Sequence, residues 1–279
     1  MVLRDDKLIY DVGMHLGEDT DFYLRKGFNV VGFEANPDLV RQCKLRFQDA
    51  IDAGRLRIVE GAIAPEEVGD SVTFFVNMLS VWGTVNPSWV DRNVSLGAES
   101  KEITVQTIKF REILRETGIP HFMKIDIEGC DHFVLKCLMD FESKPMHISI
   151  ESEKVDFSAL ELEIKSLVQL GYSKFRAVQQ EDIPGSTRSL TTLDGEVFEY
   201  KFDNHASGAF GEDVKQDWRT SIEVLREYRK IFQRYRAFGD HSILNKSPKI
   251  VQKPARIAYK LLNGYGGPLP GWFDTHASL

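Results

Sequence analysis

Leu8-Ile9-Tyr10-Asp11-Val12-Gly13-Met14-His15-Leu16-Gly17, a polar-started run from Glu18 to about Lys26, then Val30-Val31-Gly32-Phe33-Glu34 decide the fold. The first five residues read as a short buried strand, the glycines as a turn, 18–26 as a helix, and 30–33 as a second strand that stops at an acid. Strand, glycine turn, helix, strand and carboxylate make the first half of a nucleotide-binding βαβ unit. Gly13 and Gly17 remove Cβ atoms where the backbone must turn sharply and a ligand must come close. The helix start offers N–H groups to a ligand anion. Glu34, at the carboxyl end of the second strand, is placed to accept both hydroxyls of a ribose.

The turn reads Asp11-x-Gly13-x-x-x-Gly17, not Gly-x-Gly-x-x-Gly. Asp11 would repel a pyrophosphate but attract the ammonium and sulfonium of S-adenosylmethionine (SAM), by about 1 kcal/mol or more in a partly dehydrated cleft. Together with Asp11-Val12-Gly13 and Gly17, the stretches Gly32-Phe33-Glu34-Ala35-Asn36-Pro37 and Lys124-Ile125-Asp126-Ile127-Glu128-Gly129 resemble the motifs of the FkbM-type SAM-dependent methyltransferases. The resemblance covers about residues 8–153, with a looser echo at Gly208-Ala209-Phe210-Gly211-Glu212-Asp213. It implies a Rossmann-like class I methyltransferase domain. Because such enzymes are mostly O-methyltransferases acting on natural products, sugars and related small molecules, it also implies O-methylation of a hydroxyl on a small-molecule or glycan acceptor. Two rivals remain: an NAD-dependent oxidoreductase, disfavoured by the glycine spacing and the lack of a Tyr-x-x-x-Lys pair, and a non-catalytic SAM-binding regulatory module.

Composition sets the outer limits. A chain of 279 residues with 42% hydrophobic and 28% charged content can bury a full core. No apolar run is long enough to span a bilayer and no early signal-peptide region is present, so the cytoplasm is the expected location. Cys43, Cys130 and Cys137 form no C-x-x-C, which argues for reduced, buried thiols and against a disulfide scaffold or zinc site. The net charge of −7 is uneven: residues 219–260 hold 11 Lys/Arg against 3 Asp/Glu, a balance of +8, leaving −15 for the remainder. The expected reading is a solvated helix face and tail, with a surface for an anionic acceptor or partner as the alternative. No nucleic-acid groove of interleaved aromatic and basic residues is evident, and the oligomeric state is not readable.

Along the chain, Asn36-Pro37 caps a helix reaching to about Ile51, 55–60 is a third strand, and Gly61-Ala62 begins a loop that would lie beside an adenine ring. Residues 71–77 and 103–110 read as strands and 111–116 as a helix. Trp82 and Trp89, in the loop between those strands, are either local packing or a wall over the acceptor. Residues 122–126 form a central strand ending at Asp126, 131–139 a helix, 146–150 a strand ending at Glu151, 157–170 a helix and 172–178 a strand. This alternation predicts an α/β fold with a mainly parallel sheet and helices on both faces. A core over residues 1–180 is expected to carry a 181–279 extension: a hairpin or lid, a helix over 217–238, and a proline- and glycine-rich tail. The tail closes on Trp272-Phe273-Asp274-Thr275-His276, which either folds over the site or docks without chemistry.

The expected cofactor contacts are Asp11, Gly13, Met14, His15, Gly17, Glu34, Ala35, Gly61, Ala62 and Asp126. Methyl transfer to an alcohol needs alignment and removal of the hydroxyl proton. The candidates for that chemistry are His15 inside the turn, and Asp126, Glu128 and Glu151 at strand ends. His15 has a structural reading beside the catalytic one, a loop histidine that only contacts the cofactor or caps the helix, and Asp126 and Glu128 have another, capping of the helix at Asp131. Lys124 shares Asp126's strand face by period-two alternation and could pair with it or with Glu128. Asp126 and Glu151 could also hold Mg²⁺ with waters, although two acids are too few to define a metal site.

Overall fold

A computed structural model describes residues 2–77, 84, 100–127, 129–153, 155–239, 242, 244, 245 and 247–279. Trp82, Trp89 and Glu128 therefore lie outside the described residues. The first half runs β1 (Arg4–Val12), α1 (Glu18–Arg25), β2 (Asn29–Glu34), α2 (Pro37–Arg46), α3 (Gln48–Asp52) and β3 (Leu56–Glu60). Next come β4 (Ser71–Asn77), β5 (Ser100–Gln106), α4 (Phe110–Thr117), β6 (Ile119–Ile125), α5 (Asp131–Leu138) and β7 (His147–Glu151). The last third holds α6 (Phe157–Gln169), β8 (Lys174–Gln179), β9 (Thr187–Thr191), β10 (Val197–Lys201), α7 (Ser221–Phe238), α8 (Lys249–Asn263) and β11 (Phe273–Ser278).

Seven strands form the central sheet in the order β3-β2-β1-β6-β7-β11-β8. β1, β2, β3, β6 and β7 are parallel, and β11 is antiparallel to both its neighbours. Strand order reverses between β1 and β6, and it is at such a switch point, outside the carboxyl ends, that open α/β sheets bind ligands. Buried strands alternate their side chains between the two faces. On one face Tyr10, Phe33, Met123 and Ile148 pack with Phe110, Leu138, Ile164 and Tyr228 of α4 to α7. On the other, Ile9, Phe122 and Val178 pack with Phe22 and Tyr23 of α1 and with Phe202 and Phe210 beyond the β9–β10 hairpin. Phe210 lies flat on Phe122, ring centroids 4.2 Å apart.

Local chemistry explains most boundaries. The Asn36 side chain accepts the Asp38 N–H at 3.0 Å with Pro37 opening α2, as the sequence predicts. Thr220 and Glu223 form a reciprocal capping box at the start of α7. All three cysteines are buried free thiols.

Three features depart from expectation. Residues 103–110 were predicted as one strand. Instead β5 ends at Gln106 and pairs antiparallel with β4 as a separate two-stranded sheet. The proline-bearing tail contains α8, which tolerates Pro254 five residues after its first position and ends on left-handed Gly264. The Trp272–His276 segment neither folds over the site nor docks as a tail. From Phe273 it is strand β11, wedged between β7 and β8, where Asp274 lies opposite Glu151 and Phe273 opposite Gln179. Alternation of side chains explains why the segment carries both aromatic and ionisable residues: odd positions join the α7 face and even positions the α1 face.

Deleting 272–279 would expose the ladder edges of both β7 and β8. The truncated chain is expected to lose cooperative thermal unfolding and near-UV circular dichroism. A sharp transition with native near-UV signals would show β11 to be dispensable.

Candidate active site

The glycine turn sits at the switch point between β1 and β6. Gly13 has φ +87°, and a Cβ there would lie 2.0 Å from the Asp126 carbonyl oxygen, so no side chain fits. Gly17 has φ +79° and abuts the Phe47 ring. Gly13 N–H and Met14 N–H both donate to the Phe33 carbonyl at 3.0 Å, and the Cys43 thiol donates to the His15 carbonyl at 3.1 Å. Met14 buries its side chain against Gly32, leaving only its main chain near the cleft. The turn is thus fastened to β2 and α2, and two of its N–H groups are spent on the protein itself. The first turn of α1 carries Glu18, Asp19 and Asp21, which makes the helix start an acidic place in contrast to the predicted anion site.

Glu34 closes β2. Its carboxylate accepts His15 N–H at 3.0 Å and Asn36 N–H at 2.8 Å, and burial raises its pKa against the pull of those bonds. Gly61 N–H donates to the Glu34 carbonyl at 2.9 Å. Beside it, Ala62 and Ala35 pack with Phe74 and Val105 as a small apolar wall. His15, at φ +51°, holds its Nδ1 3.0 Å from Glu18 and its ring 5.8 Å from that of His205.

Behind the turn lies a buried charge cluster. Lys124, 5% exposed, places Nζ 3.1 Å from Asp19, 3.6 Å from Asp126 and 3.7 Å from Asp11. Asp19 further accepts the Ser207 N–H at 2.9 Å and the Gly208 N–H at 3.3 Å, so the predicted echo at 208–213 is tied to the same centre. Asp11 is wholly buried and accepts the Thr20 hydroxyl at 2.6 Å. Burial pushes its carboxyl up to about 7 against the opposing pull of Lys124. Asp11 thus braces the lysine beneath the turn. Across the sheet, burial and the charges of Asp126 and Glu151 raise Asp274 well above the usual carboxylate range. Burial, with Asp126 adding to it, pushes Asp131 up to about 7, while Asp131 accepts the Ile127 N–H at 3.3 Å.

The structure thus gathers Asp126, Glu151 and the glycine turn at one sheet edge, and Lys124 pairs with Asp126 as alternation predicts. Asp126 keeps 41% of its side chain exposed there. Asp19, Thr20 and Asp274 were missed. Asp19 and Thr20 could have been found as the helical turn that follows a glycine turn, whereas Asp274 arrives through a pairing no local pattern announces. Among the described residues no group of three or more His, Cys, Asp or Glu is arranged to hold a metal ion, so the Mg²⁺ reading of Asp126 and Glu151 is not carried further. Nor is any described helix long and apolar enough to cross a membrane.

The parallel strands, the glycine turn at the switch point and the strand-end acids make this a Rossmann-like α/β domain. The chain belongs to the FkbM methyltransferase family: the model of the FkbM methyltransferase domain matches residues 11–174, more than half of its length. The family assignment favours SAM over a nicotinamide cofactor. Similar solved structures include the precorrin-6Y C5,15-methyltransferase of Geobacter metallireducens GS-15, with 13% identity over 71% of this chain and 77% of that one and a TM-score of 0.37. An FkbM methyltransferase from Methylobacillus flagellatus KT has 16% identity over 72% of this chain, with a TM-score of 0.37. This chain spans only 45% of that protein's length. An rRNA methylase from Streptococcus thermophilus has 12% identity over 71% of this chain and 86% of that one, TM-score 0.33. No curated protein matches the chain.

Two outcomes follow from the charges. Lys124→Met leaves three carboxylates around an empty cationic position. It should lower stability by about 3–5 kcal/mol in urea unfolding, and an unchanged midpoint would refute the cluster's role. The folded-state pKa of Asp131, about 7 against an ordinary 3.8, means that its stabilisation is complete below the lower value and lost as pH rises through the higher one. Asp131→Asn should therefore gain on the parent as pH rises from about 5 to about 8 in denaturation midpoints. A constant difference across that range would contradict the assignment.

Proposed function

We propose that this methyltransferase transfers the methyl group of SAM to a hydroxyl oxygen of a small-molecule or glycan acceptor. The observation that carries the reading is the His15–Glu18 couple inside the glycine turn. The residues around it suit SAM on their own terms. Each Glu34 oxygen already holds one backbone donor and retains a second lone pair for a ribose hydroxyl. Ala35 and Ala62 offer an apolar face for the adenine. The exposed edge of Asp126 is available to the ammonium of the methionine moiety. Gly13 keeps this gap open because any side chain there would meet Asp126.

Bound in this cleft, SAM would supply a methyl on a cationic sulfur, which transfer to an oxygen would leave as a neutral thioether. The hydrogen bond from His15 Nδ1 to Glu18 assigns the ring proton to Nδ1 and the lone pair to Nε2. Nε2 takes the hydroxyl proton as the oxygen–carbon bond forms, and the Glu18 carboxylate offsets the charge that develops on the ring. Glu18 is suited to this, since His15 holds its pKa below the usual value despite burial. Glu151, beside Asp126 at the same edge, is placed to hold a second acceptor hydroxyl. Asp126 and Glu151 at this edge give the cleft an acidic field, which favours a neutral or cationic acceptor over a polyphosphate such as nucleic acid.

His15→Asn should bind S-adenosylhomocysteine in calorimetry as the parent does while kcat falls by about 10²- to 10⁴-fold. Glu34→Gln should instead weaken S-adenosylhomocysteine binding. Transfer of labelled methyl at the parent rate by His15→Asn would remove the histidine from the chemistry.

A further inference from the structure

The basic segment marked out by the sequence acquires a setting in the structure. A cavity of about 560 Å³ opens between α7, the carboxyl end of β8, the amino end of β11, and the 265–267 segment. Such a volume is ample for a sugar-sized ligand. Arg226, Lys230 and Arg234, spaced four residues apart on one face of α7, line one side of it. Among the described residues none of the three forms an ion pair. The acids nearby are mostly engaged: Glu223 accepts from the Thr220 backbone and hydroxyl at 2.8 Å, and Glu227 pairs with Arg219 at 2.9 Å. Asp182 is the third acid in the lining.

Two unpaired donors stand in the wall behind these charges. Arg234 Nε and Gln179 Nε2 are both buried without a hydrogen-bond partner, and both residues line the cavity. Orphaned buried donors are rare and costly because water has been removed and nothing replaces it. The Gln179 amide is fixed, its oxygen accepting the Gln180 N–H at 3.0 Å, so its NH₂ end cannot turn to be satisfied there. The Arg234 guanidinium is likewise held, 4.4 Å above the Tyr265 ring and 5.9 Å from that of Phe273. Phe273 and Asp274 face opposite sides of the sheet, so this cavity and the acidic cleft are separated by the sheet itself.

We propose that the α7 cavity is a second binding site, for a phosphorylated small molecule. The phosphoryl oxygens accept from the guanidinium and ammonium groups of Arg226, Lys230 and Arg234, and the body of the ligand rests on Tyr265. The site does not depend on the proposed acceptor chemistry. Calorimetric titration of the whole chain with pyrophosphate and with glucose 6-phosphate should show saturable binding that weakens as NaCl is raised, whereas glucose should give none. Arg226→Gln combined with Lys230→Gln should weaken both by about tenfold or more with unchanged far-UV circular dichroism. Asp182→Asn should bind at least as tightly as the parent. S-adenosylhomocysteine affinity in the double variant should equal that of the parent. No saturable binding of either phosphorylated probe, equal affinity for glucose, or an undiminished affinity in the double variant would overturn the proposal.

Discussion

One ammonium group, that of Lys124, lies among three carboxylates at the heart of the sheet. Asp11 comes from β1, Asp19 from α1 and Asp126 from the end of β6, so the cluster joins the strands on either side of the switch point to the helix between them. Isolated buried charges are expensive, and the arrangement is tolerable only because each carboxylate sees a cation and Asp11 and Asp19 also accept hydrogen bonds. The turn above inherits its shape from this cluster. Asp11 precedes Gly13, Asp126 meets Gly13, and Asp19 anchors the 207–208 segment close to His15. A site that must hold a cofactor and an acceptor in line is here built on a rigid electrostatic keystone and not on loops alone.

The parts legible in the sequence were those governed by neighbours in the chain. The βαβ unit, the cap at Asn36, the strand-end acids and the pairing of Lys124 with Asp126 all follow from period, propensity and spacing, and the structure shows each of them. What could not be read is long-range. Asp11 was placed correctly on its strand, but its burial depends on Thr20 and Lys124 closing over it. The strand character of the last residues depends on two partners, at 147–151 and 174–179, that no window around residue 273 contains. Pro254 concealed α8 because a proline argues against a helix interior, although one missing hydrogen bond is tolerable in a helix of fifteen residues.

The two faces of the sheet also divide the labour. The α1 face carries the acids and the histidine turn. The α7 face carries the aliphatic core of α5 and α6 and, at its outer edge, the cations that offset the chain's negative balance. Alternation along β11 serves both: Phe273 and Ala277 complete the α7 side, while Asp274 and His276 enter the α1 side.

β11 also imposes an order on synthesis. β7 leaves the ribosome with one flank unpaired, and the edge strand β8 has no partner in the sheet, until Phe273–Ser278 has emerged to lie between them. Everything from Ser152 to Trp272 must be made in the meantime, so the free flank of β7 waits through that whole span before the sheet closes. The nascent chain presents two sticky strand edges over that interval, a window in which chaperone protection would matter more to this protein than to one whose neighbouring strands follow each other in the chain.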